Sequence, residues 1–286
     1  MKLIIDSGST KTDWCLTFGE KKIKTVKSEG INPFFQSDEI IARIFRDSIA
    51  ELQIPNTLSG IYFYGAGIRK EMSNRLHDII LKAINYNTIK NSNLTISVEG
   101  DLLGAARALC QHEEGIACIL GTGSNSCLYD GSKIIDNTPP LGFILGDEGS
   151  GAVLGIKFLN ALYKRRLPNS LLEEFEKEQK LSLTEIIERV YRQPMPNRFL
   201  ASLSNFIHKH IETDEVMEII IEHFRMFFKN NIDRYNRKDL PVNFIGSMAF
   251  HYHKQLNDCA LSEGYTIGKI VTSPIDGLIK YHNKHR

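Results

Sequence analysis

One short pattern occurs twice in this chain, and its repetition limits the folds open to it. Lys2–Ile5 is an apolar run that ends at Asp6; a turn of Gly, Ser and Thr follows, and Trp14–Phe18 begins a second strand. Gly19–Lys22 is a charged turn and Ile23–Val26 a third strand. Roughly 110 residues on, Ile116–Leu120 ends in Gly121-Thr122-Gly123-Ser124-Asn125; Ser126–Tyr129 returns, Asp130-Gly131 turns, and Lys133–Ile135 closes the unit. That spacing is too long for a solenoid repeat and points to a duplicated domain. A chain of 286 residues can bury two cores. The expectation is two β-meander-plus-helix domains with a cleft between them.

The stretches between the repeated units carry helical and strand periodicity. Asp38–Leu52 places Ile40, Ile41, Ile44, Phe45, Ile49 and Leu52 at helical spacing. Gly60–Tyr64 is a strand, Arg69–Ile84 a helix, Leu94–Val98 a strand and Asp101–Cys110 a helix with one small-residue face. The second half is helix-rich: Gly151–Tyr163, Leu171–Lys180, Leu183–Tyr191, Asn197–Ile211 and Asp214–Tyr235, then strand Val242–Ile245, helix His251–Glu263 and a short strand Ile270-Val271. Ser273 as N-cap and Pro274 at the first helical position predict a final helix.

Net charge is +1, which argues against nucleic acid or a membrane surface as partner. No run of about 18 apolar residues predicts a membrane span, and the apolar start is too short for a signal peptide. The five cysteines form no C-x-x-C pair, and Cys15, Cys118 and Cys127 lie in strand-like runs, so neither a disulfide framework, a tightly bound metal nor an iron–sulfur cluster is expected. His208/His210 and His251/His253 stand two apart in helical contexts and diverge to different faces. A cytoplasmic enzyme fits this composition.

The chemistry is carried first by the two turns. Phosphate recognition needs backbone N–H groups that approach closely, which glycine permits, and hydroxyls that donate without adding charge. Asp6, Gly8, Ser9, Thr10, Lys11 and Thr12 supply these, with Asp6 as a carboxylate for a water-bound magnesium ion and Lys11 as a cation; Gly121, Thr122 and Gly123 form a second cradle. Either turn alone reads equally as a tight hairpin. Two at matching positions of a duplicated unit favour a nucleotide site.

The sequence resembles the sugar kinase/Hsp70/actin superfamily, and within it the group joining N-acetylglucosamine kinases with the BadF/BadG/BcrA/BcrD ATPases. LIIDSGSTKT (Leu3–Thr12) is similar to the first phosphate motif, ILGTGSNS (Ile119–Ser126) to the second, FIGSMA (Phe244–Ala249) to the adenosine motif, and Gly146-Asp147-Glu148-Gly149-Ser150 to the G-D-E-G-S signature. The resemblance implies an α/β fold of two ribonuclease H-like domains of the actin/hexokinase type with an interdomain nucleotide cleft. The expected domains are 1–103, with the helix at 274–286 packing back on it, and 104–273 with a helical insertion.

The implied activity is transfer of phosphate from MgATP, as co-substrate, to a hydroxyl of an amino-sugar, with N-acetylglucosamine as the expected acceptor. Asp101 takes the place of the catalytic aspartate, where its other reading is a helix N-cap. Gly246 and Ser247 match the adenosine site. Asn32, Thr122, Asn125, Gly142 and Asp147 match sugar-contacting positions, Asn32 being otherwise an ordinary turn residue and Asp147 a helix-capping one. Two departures stand out: Gly100 replaces an asparagine often found before the catalytic aspartate, and Leu141 stands where mammalian-type enzymes carry Trp. Glu148 is given no direct role. A homodimer is the assembly expected. The alternatives are an ATPase of BadF/BcrA type coupled to a partner, whose cluster-binding cysteines are missing here, and a non-catalytic sugar or nucleotide sensor.

Overall fold

The computed structural model describes residues 1–8, 11–54, 58–68, 70–86 and 94–283. The chain divides into two compact units, Met1–Glu113 with Gly131–Lys133 and Ser273–Arg286, and Glu114–Asp130 with Ile134–Thr272.

The first unit runs β1 (Lys2–Ser7), β2 (Lys11–Phe18), β3 (Lys21–Glu29), α1 (Asp38–Leu52), β4 (Gly60–Gly65), α2 (Lys70–Tyr86), β5 (Thr95–Gly100) and α3 (Asp101–Cys110). Its sheet has the order β3-β2-β1-β4-β5; β1, β2 and β3 are antiparallel neighbours, and β4 and β5 run parallel to β1. Central β1 and β4 are buried along most of their length because both faces are covered. Edge strand β3 buries only Val26 and carries Lys21, Lys22, Lys24 and Lys27, a charged edge that resists pairing with another chain. One face of α1 buries Ile41, Ile44, Phe45, Ile49 and Leu52, and Phe45 meets Trp14 edge-on at 4.9 Å between ring centroids.

The second unit runs β6 (Glu114–Leu120), β7 (Ser124–Asp130), β8 (Ile134–Thr138), α4 (Gly142–Leu145), α5 (Gly151–Tyr163), α6 (Asn169–Gln179), α7 (Leu183–Tyr191), α8 (Pro196–Ser202), α9 (Ser204–Lys209) and α10 (Asp214–Phe227). A π-helical turn (Phe228–Ile232) and a 3-10 turn (Asp233–Tyr235) continue α10, followed by β9 (Val242–Ile245), α11 (Ser247–His251), α12 (His253–Ser262) and β10 (Ile267–Val271). The sheet order is β10-β9-β6-β7-β8, with β6, β7 and β8 antiparallel and β9 and β10 parallel to β6. Strand for strand this is the first unit's topology repeated. Each unit is therefore a ribonuclease H-like α/β domain of the actin/hexokinase type. Phe158, Phe175 and Phe206 meet at 5.2–5.8 Å beneath α5, α6 and α9.

The last helix, α13 (Ile275–Asn283), lies in the first unit. Gln111 Nε2 donates to the Gly277 carbonyl at 3.0 Å, and Tyr64 Oη and His282 Nε2 are 2.7 Å apart. A division at 103/104 would cut α3, which packs on α13 and β4 in the first unit; the division falls after Glu113 instead.

Helix boundaries in the second half differ from the periodicity. The predicted Asn197–Ile211 helix breaks at Leu203, whose N–H turns to the Leu200 carbonyl while Ser204 Oγ takes the Ala201 carbonyl. The predicted Asp214–Tyr235 helix loosens into the π turn after Phe227, and the predicted His251–Glu263 helix is preceded by the separate short α11. Among the described residues no helix is long and apolar enough to cross a membrane.

Candidate active site

The first phosphate-type turn links β1 to β2, where Gly8 N–H donates to the Lys11 carbonyl at 3.0 Å. Ser9 and Thr10 lie outside the described residues. Ser7 and Thr12 face each other in the register and are fully buried. Thr12 Oγ1 donates to the Glu29 carbonyl at 3.0 Å, so its hydroxyl shapes the turn instead of pointing out of it, contrary to the sequence expectation. Lys11 is exposed and pairs with Asp13 at 3.1 Å, a surface pair weak enough to exchange for a stronger anion.

Ser7, Gly65 and Gly100 end β1, β4 and β5 side by side. Ligands of open α/β sheets bind outside these carboxyl ends of parallel strands. Asp101 follows at once. It is the first residue of α3, directly after Gly100 at the N-cap position. Asp101 Oδ1 accepts the Leu102 N–H at 2.8 Å. Burial pushes its carboxyl up to about 6, against the pull of the Leu102 and Asp101 backbone N–H groups. Asp6 rises further, to about 7, first through burial and then through the charges of Asp13 and Asp101, with Lys11 opposing. A carboxylate raised by neighbouring negative charge would be relieved by a cation. Among the described residues no three His, Cys, Asp or Glu converge as a metal cage. A magnesium ion that keeps its waters and meets Asp6 through one of them suits this donor set.

Asn32 sits in an Asx turn: its Oδ1 accepts the Phe34 N–H at 3.0 Å, and its own N–H donates to Gln36 Oε1 at 2.8 Å. The loop is tied to the phosphate-type turn through Ile31 N–H, which donates to Ser7 Oγ at 2.9 Å. Beside Gly100 opens a cavity of about 270 Å³ lined by Lys70, Ser73, Asn74 and Glu99 among others. Nothing in the sequence had marked it.

In the second unit, Gly121 N–H donates to the Gly123 carbonyl at 2.9 Å across the β6–β7 turn. A Cβ on Gly121 would meet no protein atom within 4 Å, so the space over this backbone is open to a ligand. The first N–H groups of α5 close onto the same turn: Gly151 donates to the Gly121 carbonyl at 2.8 Å and Ala152 to the Thr122 carbonyl at 3.2 Å. Ser150 caps α5, accepting the Val153 N–H at 3.2 Å. Asp147, at φ +55°, leans over the turn, and a Cβ on Gly123 would stand 3.0 Å from its Oδ2. Burial raises the Asp147 pKa, the Gly142 and Ser124 N–H groups lower it, and Glu148 raises it again. Asn125 Oδ1 accepts from Asn137 Nδ2 at 3.0 Å. Gly246 has φ +125°, and a Cβ there would lie 2.2 Å from the Leu120 carbonyl oxygen. Only glycine lets the β9–α11 junction, with Ser247 just after it, lie this close to the β6–β7 turn.

The structure thus gathers the predicted residues into two sets, Asp6, Gly8, Lys11, Thr12, Asn32 and Asp101 in one unit, and Gly121–Gly123, Asn125, Gly142, Asp147, Gly246 and Ser247 in the other. Leu141, at the Trp position, is 59% exposed. Sequence reading passed over Asn230 and Asn231, which reach Glu148 at 2.7 and 3.3 Å. It also passed over His223, fully buried beside the Gly149–Ser150 backbone. The signal was the i, i+4, i+7, i+8 spacing of His223, Phe227, Asn230 and Asn231. The exposed His208 Nε2 lies 3.1 Å from the His251 carbonyl oxygen.

Compared with known proteins, the chain is similar over 99% of its length, and 99% of the other's, to the structure of a putative N-acetylglucosamine kinase from Porphyromonas gingivalis, at 46% identity and a TM-score of 0.93. A putative N-acetylglucosamine kinase from Chromobacterium violaceum shares the fold at 15% identity and a TM-score of 0.71, covering 98% of both chains. So does a ROK family glucokinase from Streptomyces griseus, solved in complex with glucose and AMPPNP, at 15% identity and a TM-score of 0.58, over 98% of this chain and 97% of that one. No family model matches the sequence, and no curated protein does.

Proposed function

The chain belongs to the N-acetylglucosamine kinase-like family of sugar kinases, within the sugar kinase/Hsp70/actin superfamily, and we propose that it transfers the γ-phosphoryl group of MgATP to a hydroxyl of N-acetylglucosamine. The observation that carries this reading is Asp101, a buried carboxylate just after the carboxyl end of β5 with one oxygen held by Leu102 N–H. Phosphoryl transfer asks a protein for positioning, charge neutralisation and a proton acceptor for the attacking hydroxyl. A carboxyl raised to about 6 is mostly ionised at neutral pH yet more basic than a solvated aspartate, which suits that acceptor.

The remaining roles rest on the motif matches. Asp6 holds a magnesium ion through water, and that ion, when bound, neutralises charge on the phosphates. The β1–β2 turn, with Gly8, Ser9, Thr10 and Lys11, and the β6–β7 turn, with Gly121, Thr122 and Gly123, cradle the phosphates, while buried Thr12 fixes the first turn's shape. Gly246 and Ser247 offer bare backbone to the adenosine. Asn32, Thr122, Asn125, Gly142 and Asp147 bind the sugar, and the cavity beside Gly100 gives its substituents room. We assign the chain to the BadF/BcrA group on its motif order, and to the cytoplasm, where its co-substrate MgATP is available.

The test is coupled ADP release with N-acetylglucosamine, glucosamine, N-acetylmuramic acid, glucose and N-acetylmannosamine. Turnover that depends on sugar and is highest with N-acetylglucosamine is expected. ADP formed equally without sugar would overturn the kinase reading in favour of an ATPase.

A further inference from the structure

The loop that carries Asp147 rests on an unusual piece of helix. α10 and the π turn that continues it carry His223, Phe227, Asn230 and Asn231 at i, i+4, i+7 and i+8, along one side of the segment. That face lies under residues 148–150. A Cβ on Gly149, which has φ +82°, would stand 3.0 Å from the Phe227 ring. The buried His223 ring lies beside the Gly149 and Ser150 carbonyls, with no hydrogen-bond partner on either nitrogen among the described residues. At the end of the face, Asn230 Nδ2 donates to Glu148 Oε1 at 2.7 Å and Asn231 Nδ2 to Glu148 Oε2 at 3.3 Å.

Two consecutive helical residues seldom serve one partner, since side chains in an α-helix diverge by about 100° per residue. The π turn changes this. Its wider coil ends with Asp233 N–H on the Phe228 carbonyl, and it leaves the Asn231 carbonyl to accept Thr138 Oγ1 at 2.7 Å and Ser126 Oγ at 3.4 Å. The turn is pinned to β7 and β8 on one side and to Glu148 on the other. Such single-turn π segments inside α-helices are often found at functional sites.

We propose that Glu148 is a positioning residue, clamped by Asn230 and Asn231 of the π turn so that its neighbour Asp147 is held in the left-handed conformation that aims its carboxylate over the Gly121–Gly123 turn. The proposal rests on the reading of Asp147 as a sugar contact. Both Glu148 oxygens are occupied by amides, while the Asp147 carboxylate is met by the Gly142 and Ser124 N–H groups instead. The clamp acts on sugar binding and leaves the nucleotide's partners untouched.

The experiment is steady-state kinetics of the full chain with N-acetylglucosamine and MgATP, with thermal melts to verify folding. Glu148→Gln, which can no longer accept from both amides, raises the sugar KM about tenfold while the ATP KM and kcat stay within about twofold. Asn230→Ala, at an exposed position, moves the sugar KM the same way and serves if Glu148→Gln does not fold. The double variant Glu148→Gln/Asn230→Asp restores a donor–acceptor pair in reverse and recovers most of the sugar KM. An unchanged sugar KM in both single variants overturns the clamp. So does a lost kcat that the double variant leaves unrestored, which would place Glu148 on the substrate. Sugar-independent ADP release by the native protein is a different result: it removes the kinase reading, and the clamp's role with it.

Discussion

Ser7 Oγ lies 2.8 Å from Thr12 Oγ1 in the fully buried step between β1 and β2, so the first phosphate-type turn is closed from below by two hydroxyls. Ser7 also accepts the Ile31 N–H at 2.9 Å, which ties the Asn32 loop to the same point. Ser7→Ala leaves the Thr12 hydroxyl with one partner fewer and the Ile31 N–H buried without an acceptor. A loss of about 1–3 kcal/mol is expected in urea unfolding, together with weaker ATP binding, since the turn loses its floor.

Asp101→Asn removes the proton acceptor and keeps the shape. Turnover falls by at least about a hundredfold while ATP affinity, read by calorimetry, changes little. Native-like turnover in this variant would remove Asp101 from the chemistry.

The raised carboxyls set a pH profile. A base with a pKa near 6 must lose its proton to act, so kcat/KM climbs as pH rises through about 6 and then levels. Stability runs the other way. Because folding raises the pKa of Asp6 and Asp101, the folded state holds these protons more tightly than the unfolded chain, and stability is lost as pH rises from about 4 through 6 and 7. Asp6→Asn and Asp101→Asn are therefore each expected to raise Tm by a few degrees at pH 8, with the gain vanishing towards pH 4. Tm values that fall below the native protein at pH 8 would contradict this.

Gly246→Ala drives a methyl group to 2.2 Å from the Leu120 carbonyl at a φ of +125° that L-residues avoid. About 3 kcal/mol or more of destabilisation is expected, because neither backbone can give way. Gly121→Ala meets no protein atom and should leave Tm within about a degree, yet weaken ATP binding. The contrast between the two separates a glycine the fold needs from one the ligand needs.

Chain order and local chemistry were enough to recover the duplicated meander and to place a glycine turn between the first two strands of each unit. Strands alternate and turns require particular residues over spans of a few positions, so a linear reading captures them. The helix ends of the second half were less legible. Periodicity cannot show a break such as Leu203, where a side chain takes over a backbone carbonyl, or the π turn at Phe228–Ile232, which looks like continuing helix in one dimension. Asp101 was visible as a residue; its raised pKa was not, because that comes from burial in the folded chain. In the same way Glu148 had no partner legible in the sequence until the fold laid Asn230 and Asn231 across it. The sequence determined what each residue could donate, accept or permit. Only the tertiary structure decided which partners met, since desolvation and hydrogen bonding depend on neighbours that the folded chain brings together.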